Sequence, residues 1–131
     1  MDRAFEIFRG GPNEAISKRL YVTISPANLI LLNRNIYIQM GRPEAVHLGF
    51  DRARDIIAIE PANPRFNDTF PLVANPSNWR INAAPFCRHF GIRIDTTLKF
   101  ICPELVGNTL HLKLREVVSV ARTKRRRAAK G

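Results

Sequence analysis

Residues Tyr21 to Gly41 read YVTISPANLILLNRNIYIQMG. Tyr21-Val22-Thr23-Ile24-Ser25 is β-branched and aromatic, the composition of a strand. Pro26-Ala27-Asn28 is turn chemistry: proline presets φ, and asparagine tolerates the left-handed region. Leu29 to Leu32 is a second strand, apolar throughout, which predicts burial on both faces or a place at a barrel closure. Asn33 can cap a helix by accepting an orphan N–H. Ile36 and Met40 fall at i and i+4, on one face of that helix. Gly41 suits the left-handed residue that ends it, and Pro43 forbids continuation. Ala45 to Phe50 and Ile56 to Ile59 then read as two strands around the polar turn Asp51 to Asp55, the second ended by Glu60-Pro61.

The same order of roles returns in FPLVANPSNWRINAAPFCRHFG, Phe70 to Gly91. Asn75-Pro76-Ser77-Asn78 is the turn, and Trp79 to Ile81 the second strand. Asn82 is again a candidate cap, and Pro85 sits in the first helical turn, where a missing N–H costs little. Phe86 and Phe90 repeat the i, i+4 pair, and Gly91 matches Gly41. Thr97 to Ile101 reads as a strand, Pro103 to Asn108 as a turn, and Leu110 to Leu114 as an alternating strand that Val117 to Ala121 could extend. Pro71 makes Phe70 to Ala74 an edge strand or a strand start.

This reading predicts a mainly β chain with short helices, internally duplicated as two β-β-α-β-β units. One such unit is too small to bury its own strands, and a second copy supplies the cover. The expected division is an N-terminal segment (1–19), a first barrel half (20–61), a linker rich in Pro and Asn (62–69), a second half (70–121) and a basic tail (122–131). In the N-terminal segment Phe5, Ile7 and Phe8 could cap a core edge, ahead of the breaker Gly10-Gly11-Pro12-Asn13.

The stretch VTISPANLILLNRNIYIQMGRPEAVHLGFDRARDIIAIEP resembles the AbrB/SpoVT-type swapped-hairpin DNA-binding domain. Ile24, Leu32, Ile36, Met40, Gly41, Val46 and Ile59 fall where that family's framework residues fall. Two units in one chain are similar to the tandem arrangement of the MraZ family. The resemblance covers residues 20–61, and less closely 70–115. It implies a small swapped-hairpin, cradle-loop barrel in which the hairpins of the two halves interleave. It also implies duplex-DNA binding, with Lys18, Arg19 and Arg34 in the first half and Arg65, Arg80 and Arg88 in the second as contacts. Pro26-Ala27-Asn28 replaces the family's Gly-Arg turn.

Charge points the same way. The chain of 131 residues carries net charge +10, which favours a polyanionic partner. Six of its 21 Lys and Arg lie in the tail RTKRRRAAKG, which holds no acid. Arg122, Lys124, Arg125, Arg126 and Arg127 are therefore expected to neutralise phosphates without reading sequence. The expected partner is nucleic acid, with double-stranded DNA favoured, in the cytoplasm or nucleoid, and the protein is read as a transcriptional regulator or nucleoid-type protein. The alternative is a non-enzymatic assembly or scaffold component whose tail touches nucleic acid loosely. A homo-oligomer is compatible with both.

Other chemistries find little in the residues. No apolar run reaches the about 18 residues of a membrane span, and MDRAFEIFRGG carries acids and no apolar core of a secretory signal. Cys87 and Cys102 are too few for a disulfide framework and are expected as reduced core residues. Cys87 and His89 are two apart on a predicted helix and diverge, and His47 and His111 are isolated, so no metal site and no cofactor are expected. No nucleophile elbow, phosphate-binding loop or dinucleotide fingerprint is present, so neither catalysis nor a small-molecule substrate is expected. Trp79, Phe86, Phe90 and Phe100 fall at core-facing positions, and Trp79 could also lie at the barrel rim.

Overall fold

The computed structural model describes residues 20–120. Their elements are β1 (Val22–Ile24), β2 (Leu29–Asn33), α1 (Arg34–Gln39), β3 (Ala45–Asp51), β4 (Ile56–Ala62), β5 (Phe70–Pro71), β6 (Val73–Ala74), β7 (Asn78–Asn82), α2 (Ala84–Phe90), β8 (Leu98–Phe100), β9 (Glu104–Val106), β10 (Thr109–Lys113) and β11 (Val117–Ser119). The protein is thus mainly β with two short helices. The strands form two antiparallel sheets. One has the order β11-β8-β1-β2-β7-β6, the other β5-β3-β4-β10-β9.

Local chemistry fixes the β1–turn–β2–α1 segment as the sequence predicts. Asn28 turns β1 into β2 at φ 64, with its N–H bonded to Ser25 O at 2.8 Å. The Asn33 side chain accepts from Ile36 N at 3.3 Å, so the helix starts where the strand stops. Gly41 follows α1 at φ 90, and Gly91 closes α2 at φ 68, both in the region where a Cβ is strained. The second helix is capped differently. Ala83 is its N-cap residue, Pro85 sits in its first turn, and Asn82 accepts only from Ala84 N, at 3.1 Å.

The two sheets share one core. Ile24, Ile30, Leu32 and Ile81 point inward from the six-stranded sheet, and Val46, Ile57, Ile59, Leu110 and Leu112 from the five-stranded sheet. Ile36, Met40 and Phe86 join them from the helices. Inside each sheet a strand before residue 63 pairs with one after residue 77. β2 runs antiparallel to β7, with Ile30 opposite Ile81, and β4 runs antiparallel to β10, with Ile59 opposite Leu110.

Several expectations change. β2 is fully buried on one face only: Ile30 and Leu32 are fully buried, while Leu29 and Leu31 on the opposite face are half-buried. Glu60-Pro61 does not end β4, which pairs with β3 to Ala62. Pro61 is tolerated because β10 stops pairing at Ile59 and requires no donor beyond it. Phe70 to Ala74 is two strands, β5 in one sheet and β6 in the other. The chain crosses between sheets at Leu72, whose N–H is satisfied by Glu44 O at 3.0 Å. Pro103 to Asn108 is not all turn. Gly107 at φ 68 makes a tight connection that pairs β9 with β10. β8 therefore joins the six-stranded sheet against β1. β11 is not an extension of β10 but a separate strand beside β8. Cys87 is buried, as expected of a core thiol, but Cys102 is exposed.

Candidate nucleic-acid interface

Directly paired residues in a sheet project to the same face. Ile24, Ile30 and Ile81 project inward, so the alternate register projects outward. That register runs across the six-stranded sheet as Val118, Lys99, Thr23, Leu31, Arg80 and Val73. The six strands contain no Asp or Glu. Lys99 and Arg80 are therefore the charges of the face, and neither has a carboxylate partner among the described residues. The Lys99 ammonium lies 5.2 Å from the centroid of the Tyr21 ring, a cation–π geometry that steadies the long side chain. Beside it Tyr21, Thr23, Leu31, Asn33, Ser77 and Asn78 line a shallow depression of about 210 Å³. Tyr21, Val73, Ile101 and Val118 are exposed apolar groups on this face or at its edges.

The outer face of the five-stranded sheet has the opposite character. Asp51, Glu60 and Glu104 are on its strands. Lys113 pairs with Glu104 at 3.4 Å, Arg54 with Asp51 at 3.3 Å, and His47 meets Asp68 at 3.1 Å. Its cations are matched by acids, whereas those of the six-stranded sheet are not.

The basic residues singled out in the sequence do not converge. Arg80 is on the outer face of β7, half-buried. Arg34 is exposed at the start of α1, its guanidinium carbon 5.8 Å from the centroid of the Trp79 ring. Arg65 is exposed in the β4–β5 loop, where its N–H is bonded by Asn63 Oδ1 at 3.0 Å. Arg88 is on the solvent side of α2. Lys18, Arg19, Arg122, Lys124, Arg125, Arg126 and Arg127 lie outside the described residues. By chain connectivity Arg19 precedes β1 and Arg122 follows β11, strands of this same sheet separated only by β8. Lys99 was missed, although the alternation Leu98-Lys99-Phe100 already turns it away from the core.

Trp79 is a half-buried rim residue whose ring stacks on Tyr37 at 4.0 Å and 9°. It joins α1 to β7 and does not present a free stacking face beside Arg80. Phe86 and Phe100 are buried, and Phe90 packs edge-on against Phe86 at 5.2 Å. Burial pushes the Cys87 thiol above its ordinary range. Among the described residues no three His, Cys, Asp or Glu side chains converge as a metal site would need. No helix among them is long and apolar enough to cross a membrane.

In comparisons with known proteins, no family model, no curated protein and no solved structure matches this chain.

Proposed function

We propose that the protein binds duplex DNA through the outer face of the six-stranded sheet, assisted by its basic tail, as a transcriptional regulator or nucleoid-type protein. The reading rests on one observation: this face carries Arg80 and Lys99 with no acid on any of its strands. In it Arg80 and Lys99 contact phosphates, and the basic residues Lys18, Arg19 and those of the tail add phosphate neutralisation that reads no sequence. The protein acts by binding and performs no catalytic step. We further propose that the fold is an internally duplicated swapped-hairpin barrel of AbrB/SpoVT type in a MraZ-like tandem. The central pairings β2·β7 and β4·β10, one strand from each proposed half, support this, as do the left-handed glycines after both helices.

The test is fluorescence anisotropy of a labelled duplex across salt, with the full chain, the chain ending at Ala121, and the double variant Arg80→Glu/Lys99→Glu. Each phosphate neutralised contributes about 0.9 to the slope of log affinity on log salt. The expected result is that tail removal lowers the slope without abolishing binding, and that the double variant in the shortened chain abolishes it. Loss of all binding with the tail would refute the sheet as a DNA surface. The exposed apolar side chains Tyr21, Val73, Ile101 and Val118 favour a second reading in that case, a protein-docking face of an assembly or scaffold component.

A further inference from the structure

At one open end between the sheets lies a cleft of about 390 Å³, within the usual size of small-ligand pockets. Leu98 comes from the six-stranded sheet, Phe50 and Leu114 from the β3 and β10 side, and Phe90 and Ile94 from α2 and the segment that follows it. Phe50, Phe90 and Leu98 give the cleft aromatic and aliphatic side chains, although more of its lining surface is polar than apolar. The rim carries Arg52, Arg93 and one acid, Asp55.

That acid is already committed. Arg115 Nε donates to Asp55 Oδ2 at 3.1 Å, and its Nη2 donates to Ala53 O at 3.0 Å. Leu114 N donates to Asp55 O at 2.9 Å. These bonds pin the β3–β4 turn to the end of β10, so one wall is preformed. Arg52 and Arg93 have no carboxylate partner among the described residues. The Arg52 guanidinium is held 5.4 Å from the centroid of the Phe90 ring, at the cleft edge. The result is an open cleft with aromatic and aliphatic side chains on its walls, whose free charges are both positive.

We propose that this cleft binds a small amphiphilic anion: an apolar or aromatic body with a single carboxylate or sulfonate head. The body fills the space over Phe50, Phe90 and Leu98, and the head lies between Arg52 and Arg93. A bidentate guanidinium contact suits such a head. The site belongs to the space between the sheets and is separate from the outer face carrying Arg80 and Lys99, so it stands or falls independently of DNA binding. It would give the protein a ligand-responsive state.

The probe is 8-anilinonaphthalene-1-sulfonate, titrated into the full chain by fluorescence. Saturable one-to-one binding is expected, displaced by decanoate and not by decanol. Arg93→Glu and Arg52→Glu are both exposed substitutions and should each weaken the dye about tenfold, the effect of reversing one rim charge. Arg42→Glu, exposed beyond the other helix, should leave dye binding unchanged. Thermal melts by circular dichroism confirm that the variants fold. Failure of the dye to bind, equal binding by the Arg52 and Arg93 variants, or displacement by decanol as readily as by decanoate would overturn the proposal. Displacement of the dye by duplex DNA would also overturn it, by assigning these arginines to the polyanion.

Discussion

Ile81→Ala should destabilise the whole described fold, not only the segment around β7. Ile81 is fully buried and stands opposite Ile30 on the inner face of the six-stranded sheet. Removing three buried carbons at about 0.8 kcal/mol each costs about 2.4 kcal/mol of transfer free energy. The cavity left in a core shared by both sheets adds to this, for a total of about 3 kcal/mol. With a urea dependence of about 2 kcal/mol per molar, the midpoint falls by about 1.5 M. The melting temperature falls by about 12–24 °C for a domain of this size. The assay is urea unfolding followed by far-ultraviolet circular dichroism and by the fluorescence of Trp79, the single tryptophan. Trp79 lies on β7 and stacks on Tyr37 of α1, so its emission reports a contact between segments far apart in sequence. Both signals should move together. Ile30→Ala should show a coupling of at least about 0.5 kcal/mol with Ile81→Ala in a double-mutant cycle. If Trp79 unfolds first while the circular dichroism keeps a second, unshifted transition, the early and late segments fold independently and the reasoning fails.

Three further outcomes follow from local features. Gly91→Ala and Gly41→Ala should each cost about 1–2 kcal/mol by thermal melt. An added Cβ meets nothing within 4 Å at either site, so the cost is purely that of positive φ; Gly91→Asn should recover part of it. Asn33→Ala should cost about 1 kcal/mol through the lost cap, measured the same way, and more than Asn82→Ala, whose side chain accepts a single exposed bond. A thiol reagent should titrate Cys102 rapidly and Cys87 only as the chain unfolds. Because burial raises the folded thiol of Cys87, its contribution to stability is full below the unfolded value and is lost as pH rises past it. Denaturant midpoints should therefore decline above about pH 8.5–9, and Cys87→Ala should remove that component.

What could be read from the residues is what neighbours decide. Asn28, Asn33 and Gly41 each act on atoms within four residues, and the β1–turn–β2–α1 order is accordingly legible. Sheet membership is set instead by partners far along the chain. Leu98 to Phe100 and Leu110 to Leu112 both alternate as strands, and nothing local says that the first lies against β1 and the second against β4. The Gly107-Asn108 pair was the cue that β10 already had a hairpin partner in β9. The cross-over at Leu72 was hidden because Pro71 explains a break but not a change of sheet. For the candidate interface, Arg80 could be identified as a basic strand residue and oriented by its neighbour Ile81. Lys99 needed the correct placement of β8 before its pairing with Thr23 placed it on the same face.

The central pairings β2·β7 and β4·β10 have a consequence during synthesis. When a ribosome has released only the residues up to about 69, the inner edges of β2 and β4 are both bare. Their partners, β7 from Asn78 and β10 from Thr109, emerge only afterwards. During that interval a neighbouring copy that has already released β7 and β10 offers the same complementary edges. Exchange between copies thus competes with completion of the single chain, and the share of exchanged dimer should rise with concentration when unfolded protein is refolded and sized by gel filtration.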